Sequence, residues 1–368
     1  MSNNRPIDFL SIYGFKSIKK LENLKLRPLN ILIGANGVGK SNFVSYFRML
    51  NEMIEGRLQS WVKKQGGADR IVYLGIKETA EFSSHIRFKP NEYSFTLEVS
   101  DDGSFFFNEE TIYFQKAGYS RPYYENIYFH FSESGLKNYA QNSKVAQYCY
   151  DAISSWRVYH LHDTSETAGV KRSCSLVDNA YLRNNASNLA AFLYLLKEQY
   201  TETYQQIVKI VQLAIPFFND FVLEPDEFSV EEKQIRLFWK QKDSDYKLSP
   251  NQLSDGSIRF ICLATALLQP NPPSTIIIDE PELGLHPYAL TLLASLLRHA
   301  ANRMQVIVST QSICLIDEFT LEDLIVVERE NGETIFKRLN NEEFNHWLED
   351  YTISELWQKN ILGGRPRK

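Results

Sequence analysis

The chain has 368 residues, 43% of them hydrophobic and 23% charged, the make-up of an ordinary folded protein with room for two or three domain-sized units. A net charge of −5 argues against a chain coated in basic residues for nucleic acid but leaves room for a local basic groove. No apolar run is long enough to cross a membrane and Met1–Asp8 carries no apolar leader, so the expected location is the cytoplasm.

Phe9, Ser11 and Tyr13 alternate with Leu10 and Ile12 as in a strand, and Gly14-Phe15-Lys16-Ser17 turns it. Leu29–Ile33 is a short β-branched run that reads as a buried strand. Gly34-Ala35-Asn36-Gly37-Val38-Gly39-Lys40-Ser41 follows and fits G-x-x-x-x-G-K-[ST]. Phe43, Phe47, Leu50 and Ile54 then recur at helical spacing, so strand, glycine loop and helix stand in the order a phosphate cradle needs. Glycines let the backbone wrap an anion closely at a helix N-terminus. Gly34, Asn36, Gly37, Gly39, Lys40, Ser41 and Asn42 are the phosphate-binding set; Lys40 is expected to reach the β- and γ-phosphates of ATP and Ser41 to ligate Mg²⁺.

Lys63-Lys64-Gln65-Gly66-Gly67 reads as a loop. Beyond it Tyr93, Phe95, Leu97 and Val99 alternate with polar residues, Asp101-Asp102-Gly103 turns the chain, and Phe105 and Phe107 resume the alternation. With 112–114 and 127–131 as further strands, 71–134 reads as an antiparallel β subdomain whose aromatics are core. Residues 135–250 read as a mixed insertion: a helix over 136–155, a strand from Trp156 to Leu161, a helix capped by Ser187, another stopped by Pro216, and a hairpin pairing 235–239 with 246–248. His160, His162 and Asp163 alternate on the strand but lack a third metal ligand, so hydrogen-bonding histidines are the preferred reading. Of the four cysteines, 149, 174, 262 and 314, the last two lie in apolar runs and read as buried thiols. The basic groups Lys63, Lys64 and Arg70, Lys171 and Arg172, and Arg365, Arg367 and Lys368 read as solvated faces.

Ile258–Leu268 is apolar nearly all round and reads as a buried helix, preceded by Leu253-Ser254-Asp255-Gly256-Ser257. Thr275–Ile278 is a central parallel strand ending in Asp279-Glu280, where Asp279 is expected to hold Mg²⁺ and Glu280 to polarise the attacking water. A helix after His286-Pro287, the strand Val306–Val308 running into Ser309-Thr310-Gln311-Ser312, a hairpin over 324–336 and short closing helices complete the chain.

Leu253–Arg259 resembles the signature motif of ABC-type ATPases in the form seen in RecF- and SMC-like heads. Glu280-Pro-Glu-Leu-Gly-Leu-His-Pro287 resembles the segment from Walker B into the D-loop, and Gln311 falls at the switch-histidine position. Together with Tyr159–Thr164, Asn188–Phe192 and the closing Glu355–Pro366, the chain is similar to RecF/SMC/OLD-like ABC-type ATPases of the AAA15/AAA21 group over nearly its whole length. The resemblance implies an α/β P-loop NTPase of ABC/SMC-head type: lobe I over 1–70, the β subdomain over 71–134, the insertion over 135–250 and lobe II over 251–368. It implies a homodimer that sandwiches two ATPs, each site joining Lys40, Ser41, Asp279, Glu280 and Gln311 of one chain to Ser254 and Gly256 of the other. Asp255 and Gln311 depart from the common pattern. Asp255 needs a basic partner, such as Arg259 or one across the interface, and a glutamine cannot shuttle a proton, so slow turnover is expected. Gln65 is a candidate for the Q-loop glutamine, with a plain surface residue as its alternative. OLD-like proteins carry a Toprim nuclease after the ATPase. Here the residues after Ser312 read as a hairpin and helices, so a separate, nuclease-like effector is expected to act in trans in anti-phage defence. The alternatives are a DNA repair or maintenance head, with DNA as a partner, and a nucleotide-responsive scaffold with little turnover; a membrane transporter is disfavoured.

Overall fold

The computed structural model describes residues 5–115, 118, 122–128, 131–226 and 233–364. β1 (Phe9–Phe15) and β2 (Ile18–Lys25) form a hairpin, and β3 (Leu29–Ile33) runs through the glycine loop into α1 (Lys40–Ile54). α2 (Leu58–Gln65) stops on Gly66 at φ 92°, a left-handed cap that suits glycine. The antiparallel strands β4 (Glu81–Arg87), β5 (Asn91–Val99), β6 (Phe105–Phe114) and β7 (Tyr123–Tyr128) follow. α3 (Leu136–Tyr139) and α4 (Lys144–Ser155) lead into β8 (Arg157–Tyr159). The middle of the chain holds β9 (Cys174–Ser175), α5 (Leu189–Gln199), α6 (Thr201–Ala214), β10 (Phe218–Val222), β11 (Gln234–Ile235) and β12 (Phe238–Gln241). The last stretch is α7 (Asp255–Leu268), β13 (Thr275–Asp279), α8 (Pro287–Ala301), β14 (Gln305–Thr310), α9 (Ile313–Ile316), β15 (Leu324–Glu330), β16 (Glu333–Arg338), α10 (Asn341–Leu348) and α11 (Ile353–Gln358).

Two six-stranded sheets organise these elements. One is antiparallel, in the order β2-β1-β4-β5-β6-β7, and draws strands from both sides of residue 70. The other has the order β16-β15-β3-β14-β13-β8, parallel from β15 to β8, with β16 antiparallel at one edge. Side chains alternate across a strand, so the parallel sheet feeds two cores at once. Ile276 and Ile278 of β13 enter the core shared with α5–α8, and Ile277 enters the core shared with α1 and the antiparallel sheet. Among the described residues no helix is long and apolar enough to cross a membrane.

Several local expectations are corrected. The helix over 136–155 is two helices, because the Ser143 side chain accepts the Ala146 N–H and so starts α4 afresh. Asn188, not Ser187, precedes α5, and its amide braces the incoming loop by donating to the Asp178 and Tyr181 carbonyls. Trp239 and Leu248 make a single bridge, because β12 pairs with β10, and Ile235 pairs with Cys174 in β9. Cys314 is exposed, while Cys149 and Cys262 are buried; all four thiols are free, and burial pushes that of Cys262 up to about 12. Residues 129–130 of the expected strand over 127–131, and the basic group Arg365, Arg367 and Lys368, lie outside the described residues.

Candidate functional site

The phosphate loop leaves the C-terminal end of β3, and close contacts explain its glycines. A Cβ on Gly34 would stand 2.3 Å from the Val327 carbonyl oxygen, and one on Gly39, at φ 113°, 2.2 Å from Thr334 Oγ1. Gly37, at φ 77°, has open space on its Cβ side. Asn36 and Ser41 are exposed, Ser41 in the first turn of α1. A relay of hydroxyls holds the loop from below. Asn42 Nδ2 donates to Ser17 Oγ (2.7 Å), the Ser17 and Thr334 hydroxyls are bonded (2.7 Å), and Thr334 Oγ1 donates to the Val38 carbonyl (2.7 Å). Asn42 thus supports the loop from β1–β2 and β16. It also lines a cavity of about 510 Å³ with Lys16, Gln65, Arg70 and Tyr73, beside the loop.

Lys40 is buried, and its Nζ donates to the Gly34 (2.7 Å) and Ala35 (2.9 Å) carbonyls, which aligns the ammonium along the loop. Burial lowers its pKa, opposed by the carboxylates of Glu280, Asp279 and Glu282. This draws the glycine loop and the end of β13 into one electrostatic site.

Asp279 closes β13, paired in register with Ser309 of β14. Its Oδ1 and the Ser309 Oγ are both buried without a protein hydrogen-bond partner among the described residues. Orphaned polar atoms are rare in folded interiors, and a carboxylate oxygen beside a hydroxyl at a strand end fits a hard divalent cation or its water. Glu280 follows at φ 45°, a left-handed conformation that costs a non-glycine residue strain. The bond from its N–H to the Ser309 carbonyl (2.8 Å) holds it there. Gln311 Nε2 donates to Glu280 Oε1 (2.5 Å), so the amide at the expected switch position grips the carboxylate that follows Asp279.

Sequence reasoning passed over Glu282. Its Oε1 accepts from Thr310 Oγ1 (2.7 Å) and the Gln311 N–H (2.9 Å), which fixes the Gln311 backbone. Burial raises its pKa, partly offset by those two bonds. Arg48 of α1 was also unread: burial lowers its pKa against the pull of Asp279, and its Nη2 is buried without a partner among the described residues. His160 and His162, expected to be hydrogen-bonding histidines rather than a metal pair, stand beside the end of β13. The parallel register of β8 on β13 carries them past Ile278 to the Walker B end. His162 Nε2 lies 3.1 Å from the Asp279 carbonyl oxygen, which can only accept, so that nitrogen bears the proton. The two rings are 4.0 Å apart, and burial, then His162 and Arg48, hold the His160 pKa below its ordinary value. No cluster of three or more metal-ligating residues of the His, Cys, Asp and Glu types occurs among the described residues. The signal for these residues was pairing between β8 and β13, which a single sequence does not display.

The signature segment forms the start of α7. Ser254 is its exposed N-cap, its Oγ accepting the Ser257 N–H (3.1 Å). Gly256 is buried against its own chain's D-loop, where a Cβ would stand 2.0 Å from the Gly284 carbonyl oxygen. The expected Asp255–Arg259 pairing is not made. Arg259 donates to the Leu161 carbonyl (2.8 Å) and to that of Leu283, so its guanidinium ties the segment after β8 to the loop after β13. Asp255 instead has the buried Lys171 ammonium at 3.7 Å, itself donating to the Thr164 carbonyl (2.6 Å). Lys171 belongs to a group read as a solvated face, and its burial corrects that reading. Among the described residues no hydrogen bond or ion pair joins Ser254, Asp255 or Gly256 to the phosphate loop of the same chain. Gln65 ends α2 and accepts from Lys16 Nζ at 3.5 Å, on the cavity side rather than against Glu280.

A family model described as "AAA domain, putative AbiEii toxin, Type IV TA system" matches residues 29–317. No curated protein matches the chain. Among solved structures the chain is similar to an SMC head bound to the C-terminal winged-helix domain of ScpA, with a TM-score of 0.62 and 16% identity over 93% of this chain and 99% of that one. An SMC head with an extended coiled coil, bound to the C-terminal domain of ScpA derived from Pyrococcus furiosus, gives 0.58 and 16% over 94% and 99%. The SMC head domain of Thermotoga maritima gives 0.50 and 14% over 91% and 99%. At these identities the structures establish the fold, and the family model spans most of the chain, from the strand before the phosphate loop to Asp317. The chain belongs to the AAA_21 family and is a P-loop ATPase with the architecture of an SMC head.

Proposed function

We propose that the protein binds and slowly hydrolyses ATP at a site completed by a second copy of itself, and that the closed dimer regulates a separate effector in anti-phage defence. The observation that carries the split site is the division of labour in one chain. Lys40, Asp279, Glu280 and Gln311 converge, while Ser254 is presented on an exposed helix N-terminus with no bond to that loop. In this reading the loop N–H groups and Lys40 bind the β- and γ-phosphates, and Ser254 and Gly256 of the partner meet the γ-phosphate. Ser41 and Asp279 would hold Mg²⁺, which when bound neutralises phosphate charge.

Glu280 orients and polarises the attacking water, and Gln311 holds that carboxylate in place. Because the amide cannot carry a proton, turnover is slow; His162, with its Nε2 3.1 Å from the Asp279 carbonyl oxygen, and His160 beside it are the imidazoles placed to take part in proton movement. Lys171 neutralises Asp255 at the start of α7, so the carboxylate there need not repel the incoming phosphate.

The defence role and the separate effector are supported by the family's description, which names a putative AbiEii toxin of a type IV toxin–antitoxin system. Light scattering of Glu280→Gln with Mg-ATP tests the sandwich: a trapped dimer is expected, and monomer alone sinks it. Capture of proteins on that ATP-bound variant identifies the effector, and DNA in its place would favour a repair head. The Gln311–Glu280 bond also suits a second reading, a nucleotide-responsive scaffold. Phosphate release no faster in the wild type than in Glu280→Gln would favour it.

A further inference from the structure

The closing segment around Leu362-Gly363-Gly364 has no part in the chemistry described so far, yet it reaches the phosphate loop. α11 is anchored at its start, where the Ser354 N–H and hydroxyl donate to the two Asp317 oxygens (2.8 and 2.6 Å). Asp317 caps α9, the short helix that follows the switch residue Gln311. At its other end the segment turns through Asn360 (φ 58°), Gly363 (φ 84°) and Gly364 (φ 83°), a run of left-handed residues for which glycine is the fitting side chain. The Gly364 carbonyl then accepts the Ala35 N–H (2.9 Å), and the Gly364 N–H donates to Glu328 Oε1 (2.7 Å). Glu328 is buried on β15 and its other oxygen takes Lys337 Nζ (2.7 Å).

There is no room for side chains here. A Cβ on Gly363 would lie 2.7 Å from Glu328 Oε1. One on Gly364 would lie 3.1 Å from Trp357 Nε1 and Val326 Cγ1, and 3.5 Å from the Gly34 Cα. Gly34 in turn abuts the Val327 carbonyl, so three backbones meet where the loop begins. Ala35 is also one of the two residues whose carbonyls receive Lys40 Nζ. Its peptide groups are therefore fixed on one side by the closing segment and on the other by the Lys40 ammonium.

We propose that Gly363 and Gly364 are positioning residues of the phosphate loop. Their backbone sets the Ala35 peptide, and through it the Lys40 ammonium, for the β- and γ-phosphates of a nucleoside triphosphate. The segment thereby ties the loop to the exit of the switch strand through Ser354 and Asp317. This rests on the ATP-binding reading above.

Titration of the full chain with a fluorescent non-hydrolysable ATP analogue, alongside thermal melts without nucleotide, tests it. Gly364→Ala is expected to weaken analogue binding about tenfold, with faster hydrogen exchange at the Ala35 amide. Leu356→Ala, which removes buried packing from α11 without touching the loop, is expected to lower the melting temperature and leave affinity within about twofold. Should Gly364→Ala fail to fold, Glu328 decides the matter: Glu328→Gln keeps the acceptor and is expected to retain affinity, and Glu328→Ala to lose it. Wild-type affinity in folded Gly364→Ala, or equal affinity in the two Glu328 variants, overturns the proposal. Absence of analogue binding by the wild type overturns the ATP reading instead.

Discussion

In the antiparallel sheet β4 and β5 bury alternate residues, among them Phe82, Ser84 and Ile86 on one strand and Tyr93, Phe95 and Leu97 on the other. In the parallel sheet β3, β13 and β14 are buried at every position. The first sheet therefore has a half-open face and tolerates polar residues along its length. The second is covered on both faces and meets the site only where its strands end. The loop after β3, Asp279-Glu280 after β13, Gln311 after β14 and His160 after β8 all leave the same edge, because those four strands are parallel neighbours. A parallel sheet gathers the ends of strands distant in sequence, whereas a meander gathers strands already close in sequence.

The contrast can be broken most directly at the strand ends. Glu280→Gln is expected to slow phosphate release by about 10²–10⁴-fold, in the range of a lost general base, while ATP still binds. A variant that turns over like the wild type removes Glu280 from the chemistry. Within the sheets, Ile277→Ala on β13 should cost about 2–5 kcal/mol in a denaturant titration, since it empties a site buried at 0% exposure. Thr96→Ala on the open face of β5 should stay within about 0.5 kcal/mol. Similar losses at the two positions would erase the distinction between the sheets.

Asn42→Ala removes the first donor of the relay beneath the loop and should weaken nucleotide binding by about 0.5–1.5 kcal/mol, read by the same analogue titration. The smallest effect concerns a buried carboxyl of the antiparallel sheet. Glu110 is buried, accepting from the Tyr93 hydroxyl (2.6 Å), the Ser134 hydroxyl and the Gly135 N–H (2.9 Å), and burial raises its pKa. A carboxyl raised in the folded state keeps its proton while the unfolded chain, near 4.5, has lost it. Its contribution is thus fully present below about 4.5 and lost as pH rises through the folded value. The stability of Glu110→Gln relative to wild type should accordingly grow as pH rises above about 4.5, whatever the constant offset, and a pH-independent difference would contradict the buried acid.

Much of this was legible in advance where a local pattern coincides with a local cause. Gly34–Ser41 could be read because a tight phosphate turn demands glycines at short spacing. β3 and β13 could be read because doubly covered strands are apolar throughout. The Asp101-Asp102-Gly103 turn was legible for the same reason, with Gly103 at φ 77°. Where causes lie far along the chain the reading failed. Arg259 was the natural partner for Asp255, four positions on along one helix. The structure instead gives Asp255 to Lys171 and turns Arg259 to the Leu161 and Leu283 carbonyls, in the segments after β8 and β13. The close approach of the Gly284 carbonyl to Gly256, which leaves no room for a Cβ there, was likewise not legible from the local pattern.

By itself, then, the sequence determined that this is a P-loop ATPase: strand, glycine loop, helix and acidic strand end are local patterns whose order survives any arrangement of the insertions. Only the tertiary structure decided the company those motifs keep. His160 beside Asp279, Glu282 beneath Gln311, Lys171 against Asp255 and Gly364 on Ala35 depend on which strands pair and which segments cross, and those choices follow from burying two cores against one sheet rather than from any residue's near neighbours.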